Sequence, residues 1–484
     1  MTPVLSLLPG PLIIAALALL AVRGRILSRL AALVMAGQCV AAAIEWFPRL
    51  GNPMDAPIER GFGTDSHGAL FVLLTTLVVT AAFVHAVSFF DREAQSEHPP
   101  VSRQIGQFYF FAPLFLIAMY AVVLADNLGY MWIGMEATTL LSAPLVYFHR
   151  SARSLEATWK YVIICSVGIA FGFFGTAVLF AASQQSGALA QGSLSLSALT
   201  AHASQLPPGM VRLAFVFLLL GYGTKAGLFP LHNWLPDAHS EAPAPASAIL
   251  SGSLLNCALV ALWRISDLAR AAGQDLVVRE TLLPMAVATV IAAALFLLRQ
   301  KDVKRMLAYS SMENVGIMAT AIGLGTWNGF ALQAINHSLC KVAVFLLAGN
   351  LLQQFGTKNI HELRGLLRAQ PGRTMLLLLA ITAVAGTPPF GSFLAEWRIL
   401  SVAADGGLFW VVAALAASLA LAFIALAMQS LEMALGAPPE AAETCTRTKF
   451  ALSLVLVPAV LLLGSLILGT MLPASLLALV GGLR

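Results

Sequence analysis

The chain has 484 residues, of which 59% are hydrophobic and 11% charged, and its formal net charge is +5. Soluble proteins carry roughly 25% charged residues, and a water-soluble core stops growing at about 250–300 residues. Lipid must therefore solvate most of this surface, which excludes a soluble enzyme, and basic residues held in short loops read as membrane topology rather than nucleic-acid binding.

A spanning helix needs about 20 mainly apolar residues. Reading with that window gives about fourteen candidates, at approximately 4–22, 27–47, 69–89, 107–125, 127–147, 160–183, 210–230, 245–264, 281–299, 306–325, 328–352, 374–394, 407–430 and 450–477. The stretch from Val4 to Val22 lacks a positive n-region and is followed by Arg23 and Arg25, so a retained first helix is expected rather than a signal peptide. With the N-terminus outside, eighteen Lys and Arg fall in inner loops and eight, including Arg60 and Arg484, outside; Lys225 and Lys341, within the membrane, complete the 28. That asymmetry favours an even number of spans with both termini outside, periplasmic for a bacterial inner membrane. Cys39, Cys165, Cys257, Cys340 and Cys445 form no CxxC pair, so small packing residues are expected rather than a metal or iron–sulfur framework.

Two segments depart from clean helices. One runs from Gly221 through Gly223, Lys225 and Gly227 to Pro230; the other runs from Gly386 through Pro388, Pro389 and Gly391 to Glu396. Glycine weakens a helix and proline removes an amide donor. The freed carbonyls are tolerated at membrane depth only when buried or lining a wet cavity. Two interrupted helices in corresponding positions point to inverted repeats, as in transporters. The expected organisation is an N-terminal three-helix segment (1–106), a first repeat (107–265), a second repeat (266–430) and a C-terminal loop and helix (431–484). Gln184 to Gly209 reads as a linker.

Ionisable groups inside a membrane cost about 2.5–3.5 kcal/mol each on insertion scales, so their presence needs a reason. Glu136 lies near the middle of the fifth span, Lys225 in the broken seventh, Lys341 in the eleventh, and Glu396 after the break in the twelfth, on the outer side. An opposed Glu and Lys in a low-dielectric site form a proton switch, because removing the partner drives release of the proton. The bland reading is a static buried pair that fixes helix register. Glu313 and Asn314 lie in the tenth span and Lys304 enters it. His337 stands one turn before Lys341 and suits proton relay or an ordinary hydrogen-bonded core position. Asp237, His239 and Glu241 follow the first break, where an inner vestibule or a solvated loop would lie. Glu156 and Lys160, at i and i+4, read as a helix-end pair.

Three stretches carry a resemblance: Trp159-Lys160-Tyr161-Val162-Ile163-Ile164-Cys165, the long run from Gly223 to Pro243, and Lys304-Arg305-Met306-Leu307-Ala308-Tyr309-Ser310-Ser311. They resemble the antiporter-like subunits of respiratory complex I, shared with Mrp-type antiporters and membrane-bound hydrogenases. Met135 to Leu140, Glu156 to Lys160 and Ala348-Gly349-Asn350 look most like the F component of hydrogenase 4. The resemblance implies an all-α fold of fourteen helices with inverted five-helix repeats and broken seventh and twelfth helices. It places the family's functional groups on Glu136, Lys225, Lys341 and Glu396. Where several relatives carry a bridging Lys or His in the eighth helix, this sequence has Asn256, which cannot titrate and puts continuous central conduction in doubt.

The expected function is a proton-translocating membrane subunit of a respiratory oxidoreductase complex of hydrogenase or formate hydrogenlyase type. No cofactor is expected on this chain; nickel–iron and iron–sulfur centres are expected in partner subunits. Other membrane antiporter-like subunits, a peripheral redox arm, lipid, and protons or sodium ions are the expected partners. A sodium/proton antiporter of Mrp type and the membrane subunit of a dissolved inorganic carbon uptake complex are the alternatives. A b-type cytochrome would need facing axial histidines, and only His337 lies deep in a span.

Overall fold

The computed structural model describes residues 3–20, 24–51, 61–63, 65–95, 102–187, 189, 192–437 and 452–471. Cys445 and the loop charges Arg23, Arg60, Arg447, Lys449 and Arg484 lie outside the described residues. Helices in chain order are α1 (Pro9–Leu19), α2 (Gly24–Trp46), α3 (Ser66–Glu93), α4 (Ser102–Leu124), α5 (Leu128–Val146), α6 (Ala152–Gln185) and the short α7 (Leu196–Ala201). The middle of the chain holds α8 (Pro208–Ala226), α9 (Trp234–Glu241), α10 (Ala244–Ile249), α11 (Leu255–Ala271), α12 (Asp275–Leu297) and α13 (Val303–Leu324). The remainder is α14 (Trp327–Phe355), α15 (Leu366–Ala369), α16 (Pro371–Val384), α17 (Gly391–Asp405), α18 (Phe409–Leu435) and α19 (Ser453–Thr470).

The protein is an all-helical, multi-pass membrane protein. Among the described residues nine helices are long and apolar enough to cross a membrane, and Leu5–Leu19, Pro371–Val384 and Leu454–Thr470 are apolar but shorter. The count is below fourteen partly because buried polar residues lower the hydropathy of a core helix. Thus α13 carries Lys304, Arg305, Glu313 and Asn314, with all but Arg305 buried.

Burial sorts the helices into an inner and an outer set. The most apolar windows of Ala244–Ala271 and Trp327–Phe355 are wholly buried, whereas only a third of those of Gly24–Leu50 and Phe409–Leu435 is buried. A helix apolar on all sides belongs inside or against lipid, and here both kinds occur. Glycine sets the tightest approach between α6 and α8. A Cβ on Gly221 would lie 2.7 Å from the Gly172 Cα, and one on Gly168 would lie 2.6 Å from the Thr224 Cβ. Small residues let membrane helices approach through their backbones, since lipid supplies little hydrophobic drive between them.

Both expected interruptions are present, built to one pattern. α8 ends at Gly227, with φ +84°, before the cis Phe229-Pro230 bond; α16 is followed by Gly386, with φ +67°, before the cis Pro388-Pro389 bond. A left-handed residue satisfies the last carbonyls of a helix, and glycine adopts it without a Cβ penalty. A feature absent from the sequence reading is a π turn, Leu250–Leu254, joining α10 to α11. π turns recur at functional sites because they free backbone groups for other partners.

Candidate functional site

Lys225 occupies the last turn of α8, where a cation suits the helix dipole. Its side chain is fully buried. Nζ donates to Thr139 Oγ1 and to the Tyr161 hydroxyl, each at 2.8 Å, and lies 4.7 Å from the Tyr161 ring centre. The Tyr161 and Ser142 hydroxyls are 2.6 Å apart. Glu136 is only half-buried; its Oε1 accepts from Ser166 at 2.7 Å and its Oε2 has no partner among the described residues. The structure therefore brings Lys225 to the helix face carrying Glu136 but forms no ion pair between them. Thr139 lies three residues after Glu136, so the two share a face of α5, and the lysine is held by the nearer hydroxyl. Sequence reasoning missed Tyr161 and Thr139 as site residues, although both lie within the motifs quoted above.

Trp234 leads from this cluster towards the centre. Its ring lies 4.9 Å from that of Tyr161 and 6.2 Å from that of His239. Its indole N–H donates to the Thr224 carbonyl at 2.9 Å, across the first helix break. Asp237, His239 and Glu241 belong to helix α9, not to a solvated loop. His239 is fully buried; Nδ1 is 2.8 Å from the Leu235 carbonyl and Nε2 has no partner among the described residues. His337 Nε2 is 3.1 Å from the Ser251 carbonyl, on the π turn, and its Nδ1 has no partner among the described residues. A carbonyl only accepts, so in each ring the bonded nitrogen is the N–H and the other nitrogen keeps a free lone pair.

Asn256 is tied down by its amide N–H groups, which reach the Ser338 hydroxyl at 2.8 Å and the Gly252 and Ala334 carbonyls at 3.3 Å. Two turns further along α11 stand stacked aromatics. Trp263 and Phe330 are 5.7 Å apart and nearly parallel, and His67 lies 3.6 Å from Trp327.

Lys341 is fully buried on α14. Its Nζ donates to the Ser310 hydroxyl and to the Leu307 carbonyl, both on α13. Glu313, also on α13, is buried with Oε2 unpartnered, and it and Lys341 are electrostatic neighbours. Beside it the Gln333 amide donates to Asn314 Oδ1 at 2.7 Å. Glu396, 7% exposed on α17, packs its carboxyl over Gly386 at the second break. Its electrostatic neighbour is Glu313. Lys341 and Glu396 do not touch as an ion pair.

The charges of α9 and its neighbours form a separate group. Asp237 pairs with Lys160 at 3.1 Å and Arg305 at 2.9 Å, and Lys160 also holds Glu156 at 2.6 Å. Lys358 pairs with Glu241 at 2.9 Å. Lys304 is buried, with Nζ on the Ser240 and Ala242 carbonyls at the C-terminal end of α9. A cavity of about 740 Å³ lined by Asp91, Glu93, His149, Glu241, Lys304 and Lys358 opens beside them. No group of three or more His, Cys, Asp or Glu able to hold a metal ion is present among the described residues.

Residues 125–422 match the family described as NADH:quinone oxidoreductase/Mrp antiporter, transmembrane. The chain is 36% identical over 382 residues to a hydrogenase-4 component F homolog of Methylacidiphilum infernorum, covering 78% of this chain and 79% of that one. The chain belongs to the NADH:quinone oxidoreductase/Mrp antiporter family. This antiporter-like subunit is also 28% identical over 353 residues to hydrogenase-4 component B of Escherichia coli K12, covering 69% of this chain but only 49% of that longer one. Its fold matches a chain of the membrane-bound sulfane sulfur reductase, an archaeal respiratory membrane complex, with a TM-score of 0.85 at 23% identity over 98% of this chain and 96% of that one.

Proposed function

We propose that this antiporter-like subunit translocates protons, and that it does so within a membrane oxidoreductase complex of hydrogenase type. The observation that carries the reading is the succession of buried ionisable groups from Glu136 and Lys225, through His239 and His337, to Lys341, Glu313 and Glu396. Each group is buried or half-buried, and several keep an open acceptor atom. Intramembrane charge is costly enough that such a series needs a use.

In this reading protons enter from the inner side by the charged cavity beside Lys304. Lys225 alternates between its hydroxyl cage and Glu136, and release follows when the carboxylate is lost as a neighbour. The two imidazoles, each with one N–H and one free lone pair, pass a proton by accepting on one nitrogen and releasing from the other. Exit runs through Lys341 and Glu396 at the second break, since the aromatic stack around Trp263 and Phe330 closes the outer end of the centre. The reading includes fourteen spans, two inverted repeats over 107–265 and 266–430, both termini outside, and a bacterial inner membrane. The left-handed glycine followed closely by proline at each break, Gly227 before Pro230 and Gly386 before Pro388, supports the repeats. Electron transfer, with its metal centres, belongs to partner subunits.

The test is proton uptake by proteoliposomes holding the intact complex. Glu136→Gln and Lys225→Met are expected to assemble and to lose coupled translocation. Normal translocation by both assembled variants would refute the reading. The sodium/proton antiporter alternative is separated by the same assay: sodium-dependent proton movement by the chain without a redox partner would favour it.

A further inference from the structure

At the second helix break the structure holds a feature that the translocation reading leaves unused. A crevice of about 340 Å³ lies between α17 and α18, opening where Trp397 is 62% exposed and Phe423 42% exposed. Both rings lie on the outside of the helix bundle, at the mouth of the crevice. The walls are apolar and aromatic, formed by Phe393, Trp397, Leu400, Leu419 and Phe423. One charged group lines it, Glu396, and that side chain is more than nine-tenths buried. No hydrogen bond or ion pair to Glu396 is present among the described residues, and Gly386, which also lines the crevice, offers its carboxyl no donor side chain.

A carboxyl without a partner in an apolar cavity is an incomplete site. Lipid tails can fill the crevice but cannot satisfy the carboxyl, so an apolar occupant carrying a donor is favoured over lipid. The chemistry that completes it is a cationic amine or amidine on an aromatic or aliphatic body. The head would form a charge-assisted hydrogen bond to Glu396, and Trp397 and Phe423 present faces suited to both cation and ring.

We propose that this crevice is a membrane-accessible binding site for lipophilic amines, anchored by Glu396. The proposal shares Glu396 with the exit path above but is read out by binding alone. The probe is phenylbutylamine, against its neutral isostere phenylbutanol, with the complete complex in nanodiscs of phosphatidylcholine, a lipid without a primary amine. Saturation-transfer NMR or calorimetry is expected to show saturable amine binding, with the alcohol and the Glu396→Gln variant each weaker by about tenfold or more, the scale of one lost charged hydrogen bond. Ala420→Trp fills the crevice from its lipid side without touching the carboxyl and is expected to abolish binding while Glu396 remains. Equal affinity for amine and alcohol, or unchanged binding in Ala420→Trp, would overturn the site; so would binding by the isolated chain that vanishes in the complex. Should Glu396→Gln lose the amine yet still pump, the exit path fails and the binding site stands.

Discussion

Lys225 shows what a single residue can reveal about a resting state. Sequence position established that a cation lay beside a helix break, and the opposite charge of Glu136 at membrane depth suggested it as the partner. The side chain instead donates to Thr139 and Tyr161. Depth in a membrane is legible from an apolar window, but the choice between two acceptors on one helix face is a rotamer decision that spacing does not encode. Tyr161 is thus a positioning residue for the lysine. Tyr161→Phe keeps the ring against Trp234 and removes the hydroxyl that links Lys225 to Ser142. Hydrogen bonds to charged groups contribute about 1.5–3 kcal/mol, so a change of at least about tenfold in rate is expected with assembly unchanged. Proton uptake per electron pair in proteoliposomes checks it, and a rate equal to the parent's would remove Tyr161 from the switch.

At the scale of elements, much of the architecture was legible and some of it was not. Both helix breaks were visible, because glycine and proline act locally through φ and a missing amide. The short helix α9 and the π turn at Leu250–Leu254 were not. Eight residues with mixed polarity carry no spanning signal, and a π turn reflects tertiary demands on carbonyls such as that of Ser251, which accepts from His337. The breaks also explain which glycines cannot change. At Gly386 the φ of +67° is unfavourable for any side chain, and an added Cβ would collide with the Glu396 carboxyl. The left-handed conformation alone costs about 1–2 kcal/mol. Gly386→Ala is therefore expected to lower the melting temperature of the purified protein and to displace Glu396. The double variant Gly386→Ala, Glu396→Ala relieves the collision but not the strain, so it should recover only part of the loss. Full recovery would mean that the backbone conformation contributes nothing, and no recovery would mean that the carboxyl is not the obstacle.

For the whole molecule the question is how two half-paths join. Relatives by resemblance place a titratable group where this chain has Asn256, which suggested an interrupted centre. The proposed function supplies a way round. His239 comes from α9, after the first break, and His337 from α14, one turn before Lys341, so the two histidines stand between the lysine clusters. Each imidazole has one nitrogen bound to a carbonyl and one open. Asn256, in contrast, uses its amide to tie α11 to α14 through Ser338, a packing role. Hydrogen bonds between membrane helices average about 0.6 kcal/mol, so Asn256→Leu should cost little stability and leave translocation near the parental rate. His337→Gln keeps one amide donor for the Ser251 carbonyl but cannot titrate, so it should assemble and pump poorly. Both variants belong in the same proteoliposome assay, with assembly of the complex scored first. If Asn256→Leu assembles and stops pumping while His337→Gln pumps normally, the proton crosses the middle beside α11, and the two-histidine route is wrong.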